Sequence, residues 1–124
     1  MSNRSLTVLY IEDNLDNRLL VKRILEAEGI TVLEAGNAAD GLKLIEKQEP
    51  NLILLDLNLP EMDGIAFTKY LRNNPKYKSM PIVAITADLF RGSEEQTLSA
   101  GCNGYLQKPI DVDLLPSFIQ RFLE

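Results

Sequence analysis

The carboxylate of Asp56 stands out because it ends an apolar run that begins at Leu52. An ionised carboxylate at the edge of a buried strand is costly unless a partner pairs with it. It needs no general base to attack phosphorus, since it is already ionised at neutral pH, and the product would be a mixed anhydride. Asp56 is therefore the candidate nucleophile of a phosphoryl transfer.

Two further acids, Glu12 and Asp13, directly follow the first apolar run of the chain. Three carboxylates brought within a few ångströms repel one another, and proteins resolve this by protonating one or by binding a hard cation. Oxygen ligands without His or Cys suit Mg²⁺, or Mn²⁺, better than zinc or copper. We therefore predict a Mg²⁺ site, with Mn²⁺ as the alternative ion, at Glu12, Asp13 and Asp56.

Lys108 and the hydroxyl of Thr86 are the candidates for binding phosphoryl oxygens, which need a cation and a donor opposite the metal. Taken singly, these residues have plainer explanations. Residues 12–14 could cap a helix, Asp56 could belong to a turn, Thr86 could be a satisfied strand hydroxyl and Lys108 a solvated lysine. Their shared position at the ends of neighbouring strands favours the chemical interpretation.

The spacing of apolar residues predicts how these side chains meet. Five apolar runs of strand length alternate with five segments of helical period, which is typical of a doubly wound parallel α/β sheet with helices on both faces. In such a sheet the functional crevice lies beyond the carboxyl ends of the strands. The predicted strands are 7–11, 31–35, 52–56, 81–86 and 104–107.

Capping residues and apolar stripes delimit the helices. The first is predicted to close at Gly29, the second to begin at Asn37, and the fourth to begin at Ser93, where Gln96 completes a capping box. The fifth is predicted over about 111–123. The residues expected to form the stripes of the first, third and fifth helices are Leu19, Leu20, Val21, Ile24, Leu25, Ile65, Phe67, Tyr70, Leu71, Leu114, Leu115, Phe118, Ile119 and Phe122.

Composition excludes several classes of function. The net charge of -5 and the pI near 4.8 argue against a domain that grips nucleic acid. The absence of His removes Ser/His and Cys/His pairs and the usual zinc sites, so any histidine in a phosphoryl transfer must lie on another protein. With no signal peptide and no apolar stretch of membrane-spanning length, we expect a soluble cytoplasmic protein in which Cys102 is buried.

In their order and spacing these motifs resemble the response-regulator receiver domain of two-component signalling, of the single-domain, chemotaxis-regulator-like kind. The likeness spans essentially the whole chain, residues 1–124, as one domain. It rests on Glu12-Asp13, on Asp56 within D-x-N-x-P-x-M-D-G, on Thr86-Ala87 and on Tyr105-x-x-Lys108-Pro109.

The resemblance implies a flavodoxin-like (βα)5 fold with a five-stranded parallel sheet of order 2-1-3-4-5. It implies that Asp56 is the phospho-acceptor. Asp13, Asp56 and the backbone carbonyl of Asn58 would ligate Mg²⁺, and Glu12 would act mainly through water.

The resemblance also assigns the phosphoryl-binding groups and a switch. Thr86 and Lys108 would bind the phosphoryl oxygens, and the Lys108–Pro109 bond would be cis. Thr86 would couple to Tyr105, whose inward movement remodels the face formed by helix four, strand five and helix five.

The implied partners are a histidine kinase or histidine phosphotransfer protein as donor and a downstream protein that binds the switched face. Neither nucleic acid nor a membrane is expected as a direct partner. Residues 102–105 lack the charges of receivers that dimerise through this face, so a monomer or weak dimer is expected. Because no output segment follows the fifth helix in this sequence, we expect output to come through a partner, unless the sequence is a fragment of a longer protein.

Two other functions remain open at this stage. One is a metal-dependent phosphatase or phosphotransferase with an aspartyl nucleophile, and the other is an interaction domain that is never phosphorylated. Phosphatases and phosphotransferases with an aspartyl nucleophile often carry an acid two residues after that nucleophile, where this chain has Asn58. That difference favours a signalling protein limited to self-phosphorylation and slow self-dephosphorylation. The intact set of acids, hydroxyl and lysine counts against the interaction domain.

Overall fold

A five-stranded parallel sheet of order β2-β1-β3-β4-β5 forms the centre of the molecule. The structure, a computed structural model, describes residues 6–59, 63–87 and 91–123. The predicted doubly wound sheet and its strand order are confirmed, and each strand agrees with its prediction to within one residue. The strands are β1 (Leu6–Ile11), β2 (Ile30–Ala35), β3 (Leu52–Asp56), β4 (Ile82–Thr86) and β5 (Gly104–Gln107).

Helices cover both faces of this sheet, and every residue of β3 and β4 is buried. One apolar cluster joins the sheet to the second and third helices, and another joins it to the first and fifth. None of the helices within the described ranges is long and apolar enough to cross a bilayer. The helices are α1 (Leu15–Glu26), α2 (Ala38–Lys47), α3 (Gly64–Arg72), α4 (Arg91–Ala100) and α5 (Leu115–Leu123), with a short 3-10 helix at Pro75–Tyr77.

The predicted start of α2 is confirmed, whereas α1 ends before the Gly29 that was predicted to close it. Asn37 caps α2, because its side-chain oxygen accepts a hydrogen bond from the backbone N–H of Asp40 at 2.7 Å. Gly29 has a φ of 82° in the turn after α1, a conformation that favours glycine. The α1 helix itself ends at Glu26, so Gly29 closes the turn that leads into β2.

The predicted starts of α4 and α5 are wrong. The α4 helix begins at Arg91, so Ser93 lies inside it, because a Ser-x-x-Gln spacing also occurs along any helix face and does not locate the first turn. The α5 helix begins at Leu115 instead of near Asp111. A start at Asp111 would place Pro116 in the helix interior, whereas proline is tolerated only in the first turn.

Some apolar residues of the predicted stripes do not face the core. On α1, Val21 and Leu25 are buried, but Leu19 and Leu20 are 40% and 46% exposed. Leu19 lies about 200° around the helix axis from Val21, so both cannot face the sheet. Tyr70 on α3 and Leu114, which precedes α5, are exposed as well.

Candidate functional site

Asp56 is the last residue of β3, and only 2% of its surface is exposed. Its Oδ1 accepts a hydrogen bond from the backbone N–H of Asn58 at 2.9 Å. Its Oδ2 accepts one from Nζ of Lys108 at 3.0 Å. The carboxylate at the end of this buried strand therefore has both a backbone donor and a cation as partners.

Lys108 follows β5 and contacts two acids at once. Its Nζ lies 2.9 Å from Oε1 of Glu12 and 3.0 Å from Oδ2 of Asp56. Burial alone would lower the pKa of this lysine, but the hydrogen bonds and charges of the two acids outweigh burial and raise it. Lys108 therefore carries a positive charge at neutral pH. The peptide bond between Lys108 and Pro109 is cis, as predicted.

Glu12, Asp13 and Asp56 bring three carboxylates together. One oxygen of each lies within 4.8 Å of the others. Glu12 and Asp56 are buried and Asp13 is exposed, so the cluster opens to solvent on one side. One lysine balances only part of this charge, and the ligand atoms are all oxygens, so the donor set fits a hard divalent cation such as Mg²⁺.

Both carboxylate oxygens of Glu12 accept hydrogen bonds from neighbouring donors. Its Oε1 accepts hydrogen bonds from the hydroxyl of Tyr10 at 3.1 Å and from Nδ2 of Asn17 at 3.5 Å. Its Oε2 accepts one from the backbone N–H of Asn14 at 3.2 Å. The Glu12 backbone carbonyl accepts a hydrogen bond from Nη1 of Arg18 at 2.6 Å. These contacts fix both oxygens of a carboxylate that is 1% exposed.

Tyr10, Asn17 and Arg18 were not predicted from the sequence. Tyr10 is fully buried in β1, and burial, followed by the charge of Glu12, raises the pKa of its phenol. Tyr10 precedes Glu12 by two residues, so both side chains lie on the same face of the strand. A tyrosine two residues before the acid that follows the strand was the available signal.

Thr86 ends β4 and is 1% exposed. Nδ2 of Asn58 donates a hydrogen bond to its hydroxyl oxygen at 3.3 Å. Asn58, predicted to contribute its backbone carbonyl, thus also contacts the hydroxyl through its side chain. Tyr105 is half-buried on β5 and pairs with Ala84, two residues before Thr86 on the neighbouring strand.

Comparisons with known proteins agree with this fold and this arrangement. The family profile of the response regulator receiver domain matches residues 8–120. Over 114 residues, the chain is 36% identical to the polar-differentiation response regulator DivK of Brucella anthropi, a match that covers 92% of this chain and 90% of that protein. The family match and the curated relative thus extend over nearly the whole chain.

Solved structures give the same result. The chemotaxis response regulator CheY4 of Vibrio cholerae has a TM-score of 0.90 and 28% identity, over 97% of this chain and 100% of that one. The receiver domain of the sensor histidine kinase PA1611 of Pseudomonas aeruginosa has a TM-score of 0.86 and 31% identity, over 97% of this chain and 98% of that one. The latter structure has a magnesium ion coordinated in its active site cleft.

A buried strand-end aspartate, its lysine and an acidic cluster on a doubly wound sheet define a phospho-accepting signalling module. The chain belongs to the response regulator receiver domain family. Receiver domains bind Mg²⁺ in the active site, and the acidic cluster of this chain fits that ion. Domains of this kind interact with histidine kinases and with downstream partners.

Proposed function

We propose that Asp56 of this chain accepts a phosphoryl group from a phosphohistidine on a sensor kinase or phosphotransfer protein. The observation that carries the proposal is the position of Asp56, buried at the end of β3 between Lys108 and the other two acids. An oxygen of Asp56 attacks phosphorus, and a P–O bond forms while the P–N bond breaks. The imidazole nitrogen leaves with the bonding electron pair, so the step needs no general base on this chain.

Lys108 and Thr86 bind the phosphoryl oxygens in this proposal. Lys108 already contacts Asp56, and Thr86 ends the neighbouring strand. Asp13, Asp56, Glu12 and the backbone carbonyl of Asn58 would hold Mg²⁺. When bound, the ion supplies positive charge to the phosphoryl oxygens.

A groove beside Lys108 supports an approach of the donor from this side. It has a volume of about 410 Å³ and is lined by Leu20, Pro109 and Ile110 among others. Leu20 is exposed on α1 and lines this groove together with Lys108. We propose that the helix that carries the donor histidine rests on this apolar surface.

The proposed output is a change in the face formed by α4, β5 and α5, which would bind a downstream protein. Phosphorylation would draw the hydroxyl of Thr86 from its contact with Asn58 toward the phosphoryl group. Tyr105, half-buried on the adjacent strand, would then move inward. On this proposal, residues 1–124 act as one receiver unit, as a monomer or weak dimer.

Asn58 stands where an acid would assist release of the phosphoryl group, so we propose self-phosphorylation and slow self-dephosphorylation without turnover of a separate substrate. We place the protein in the cytoplasm, a reducing compartment that suits its single free cysteine, Cys102.

Incubation with acetyl phosphate and Mg²⁺, followed by intact mass measurement, tests this function. We expect wild type to gain one phosphoryl group and Asp56→Asn to gain none. Asp40→Asn, which removes an exposed acid in the first turn of α2, is the matched control and should react like wild type. No addition to wild type, or equal addition to Asp56→Asn, would contradict the proposal.

A further inference from the structure

Tyr10 donates its hydroxyl hydrogen bond to the same oxygen of Glu12 that Lys108 contacts. The distances to Oε1 are 3.1 Å from the Tyr10 hydroxyl and 2.9 Å from Nζ of Lys108. Asn17 also reaches this oxygen, but only at 3.5 Å, and the backbone donor of Asn14 contacts the other oxygen. Within the described part of the chain, Tyr10 is therefore the one short donor besides Lys108 on Oε1.

Lys108 cannot keep its resting contacts unchanged when Asp56 is phosphorylated. Phosphorylation replaces the single negative charge of the Asp56 carboxylate by up to two negative charges on the phosphoryl oxygens, which draw the ammonium group toward themselves. Glu12 would then lose the hydrogen bond from the Lys108 ammonium group at a position where it is only 1% exposed. A buried carboxylate without sufficient donors is strongly destabilising.

We propose that Tyr10 is a positioning residue that stabilises the buried Glu12 carboxylate while Lys108 turns toward the phosphoryl group. Its hydroxyl remains on Oε1 when the ammonium group leaves, so the transfer of Lys108 costs less free energy. This inference rests on the proposed function of Asp56. Packing alone does not require the Tyr10 hydroxyl, because phenylalanine would fill the same space in the apolar cluster between β1, α1 and α5. The proposed role accounts for the hydroxyl.

Two binding measurements on Tyr10→Phe separate this role from a general structural one. The first is the affinity for Mn²⁺ alone, measured by electron paramagnetic resonance. No phosphoryl analogue is present in this measurement, so Lys108 keeps its resting contacts. The second is the affinity for beryllofluoride, a phosphoryl analogue, at saturating Mg²⁺, followed by fluorine NMR. We expect Mn²⁺ binding to change by less than about twofold and beryllofluoride binding to weaken by about tenfold, the equivalent of one hydrogen bond to a charged group.

A double-mutant cycle and a matched control make the test specific. In a Lys108→Met background no ammonium group has to leave Glu12, so Tyr10→Phe should change beryllofluoride affinity by less than about twofold. Tyr77→Phe alters another buried tyrosine, on the 3-10 helix after α3, and should change neither affinity.

The possible outcomes are distinguishable from failure of the proposed function. If wild type does not bind beryllofluoride, the proposed function fails and this inference fails with it. If wild type binds but Tyr10→Phe weakens both ligands equally or neither, only the role of Tyr10 is overturned. The same holds if the effect of Tyr10→Phe persists without Lys108.

Discussion

Two polar clusters lie at opposite ends of the same sheet, and their charge balance differs. At the amino-terminal end, Arg72 donates to the backbone carbonyls of Gly101 at 2.9 Å and Tyr77 at 2.8 Å. It also donates to Oδ1 of Asn103 at 2.8 Å, an oxygen that also accepts the backbone N–H of Ile82. One charge is thus surrounded by neutral acceptors that the fold itself supplies.

At the carboxyl-terminal end, three carboxylates lie together and a single lysine contacts two of them. Every buried side-chain nitrogen and oxygen in the described residues has a hydrogen-bond partner, so neither cluster is deficient in hydrogen bonds. Of the two clusters, the one at the carboxyl-terminal end has a surplus of negative charge that its single lysine does not balance. A satisfied charge among neutral groups stabilises a fold, whereas a surplus of one sign attracts a ligand.

The largest expected effect comes from removing one acid of the surplus. Asp13→Asn should weaken Mg²⁺ binding by about 100-fold, because it removes one of the charged oxygens proposed to hold the ion, on the exposed side of the cluster. Isothermal titration calorimetry with Mg²⁺ measures this directly. Unchanged affinity in Asp13→Asn would show that the acidic cluster does not hold the ion.

The next largest effect is at the other cluster. Arg72→Ala should lower the free energy of unfolding by about 2 kcal/mol, because two backbone carbonyls and one amide oxygen lose their donor. Mg²⁺ affinity should stay within about twofold of wild type. Urea unfolding and calorimetry measure the two quantities.

Arg72→Lys is the matched variant for this cluster. It keeps the charge but cannot reproduce three donors in a planar fork, so it should recover less than half of the lost stability. A parallel loss of Mg²⁺ affinity in either variant would contradict the separation of the two clusters.

The two clusters also differ in how far the sequence predicts them. Glu12, Asp13 and Asp56 stand at the ends of apolar runs that the sequence shows to be strands. Because a parallel sheet brings the carboxyl ends of its strands to one edge, the meeting of these acids could be predicted. The Arg72 cluster was not predicted, since its acceptors are mostly backbone carbonyls, which every residue carries. Tyr10 was missed for a related reason: a tyrosine in a strand most often serves packing.

Two fold predictions were wrong because a sequence pattern was outweighed by another constraint: the geometry of proline at the start of α5, and the limited width of the buried face of α1. The start of α5 depends on Pro116, whose ring confines it to the first helical turn. On α1, apolar residues cover more of the circumference than the sheet can bury, so Leu19 and Leu20 remain exposed. Of these two residues, Leu20 lines the proposed docking surface.

A third prediction uses pH to compare the ends of the sheet. Cys102, beside the Arg72 cluster, is 7% exposed, and burial raises the pKa of its thiol despite the nearby guanidinium of Arg72. The folded state therefore keeps a proton that the unfolded state releases. The stability linked to this proton is fully present below the thiol pKa of the unfolded chain and is lost as pH rises through the folded value.

The expected loss is up to about 1.4 kcal/mol per pH unit above roughly pH 8.5. Urea unfolding at a series of pH values should show this slope in wild type and a smaller slope in Cys102→Ala. Tyr10 and Lys108, whose pKa values are also raised, would contribute at higher pH with the same sign. An identical slope in Cys102→Ala between pH 8.5 and about pH 9.5 would assign the alkaline loss to other groups.

The smallest effect tests the surplus of charge itself, without metal. In the absence of divalent ions, Asp13→Asn should raise the free energy of unfolding by about 0.5 kcal/mol, because it relieves repulsion from Glu12 and Asp56. Asp16→Asn is the matched control, since it makes the same change of net charge in the first turn of α1. There the lost acid had stabilised the helix dipole, so stability should fall by about 0.3 kcal/mol. If the two variants change the free energy of unfolding in opposite directions, the site near Asp56 holds a charge repulsion that a cation can relieve. If both changes have the same sign, they reflect only the change of net charge.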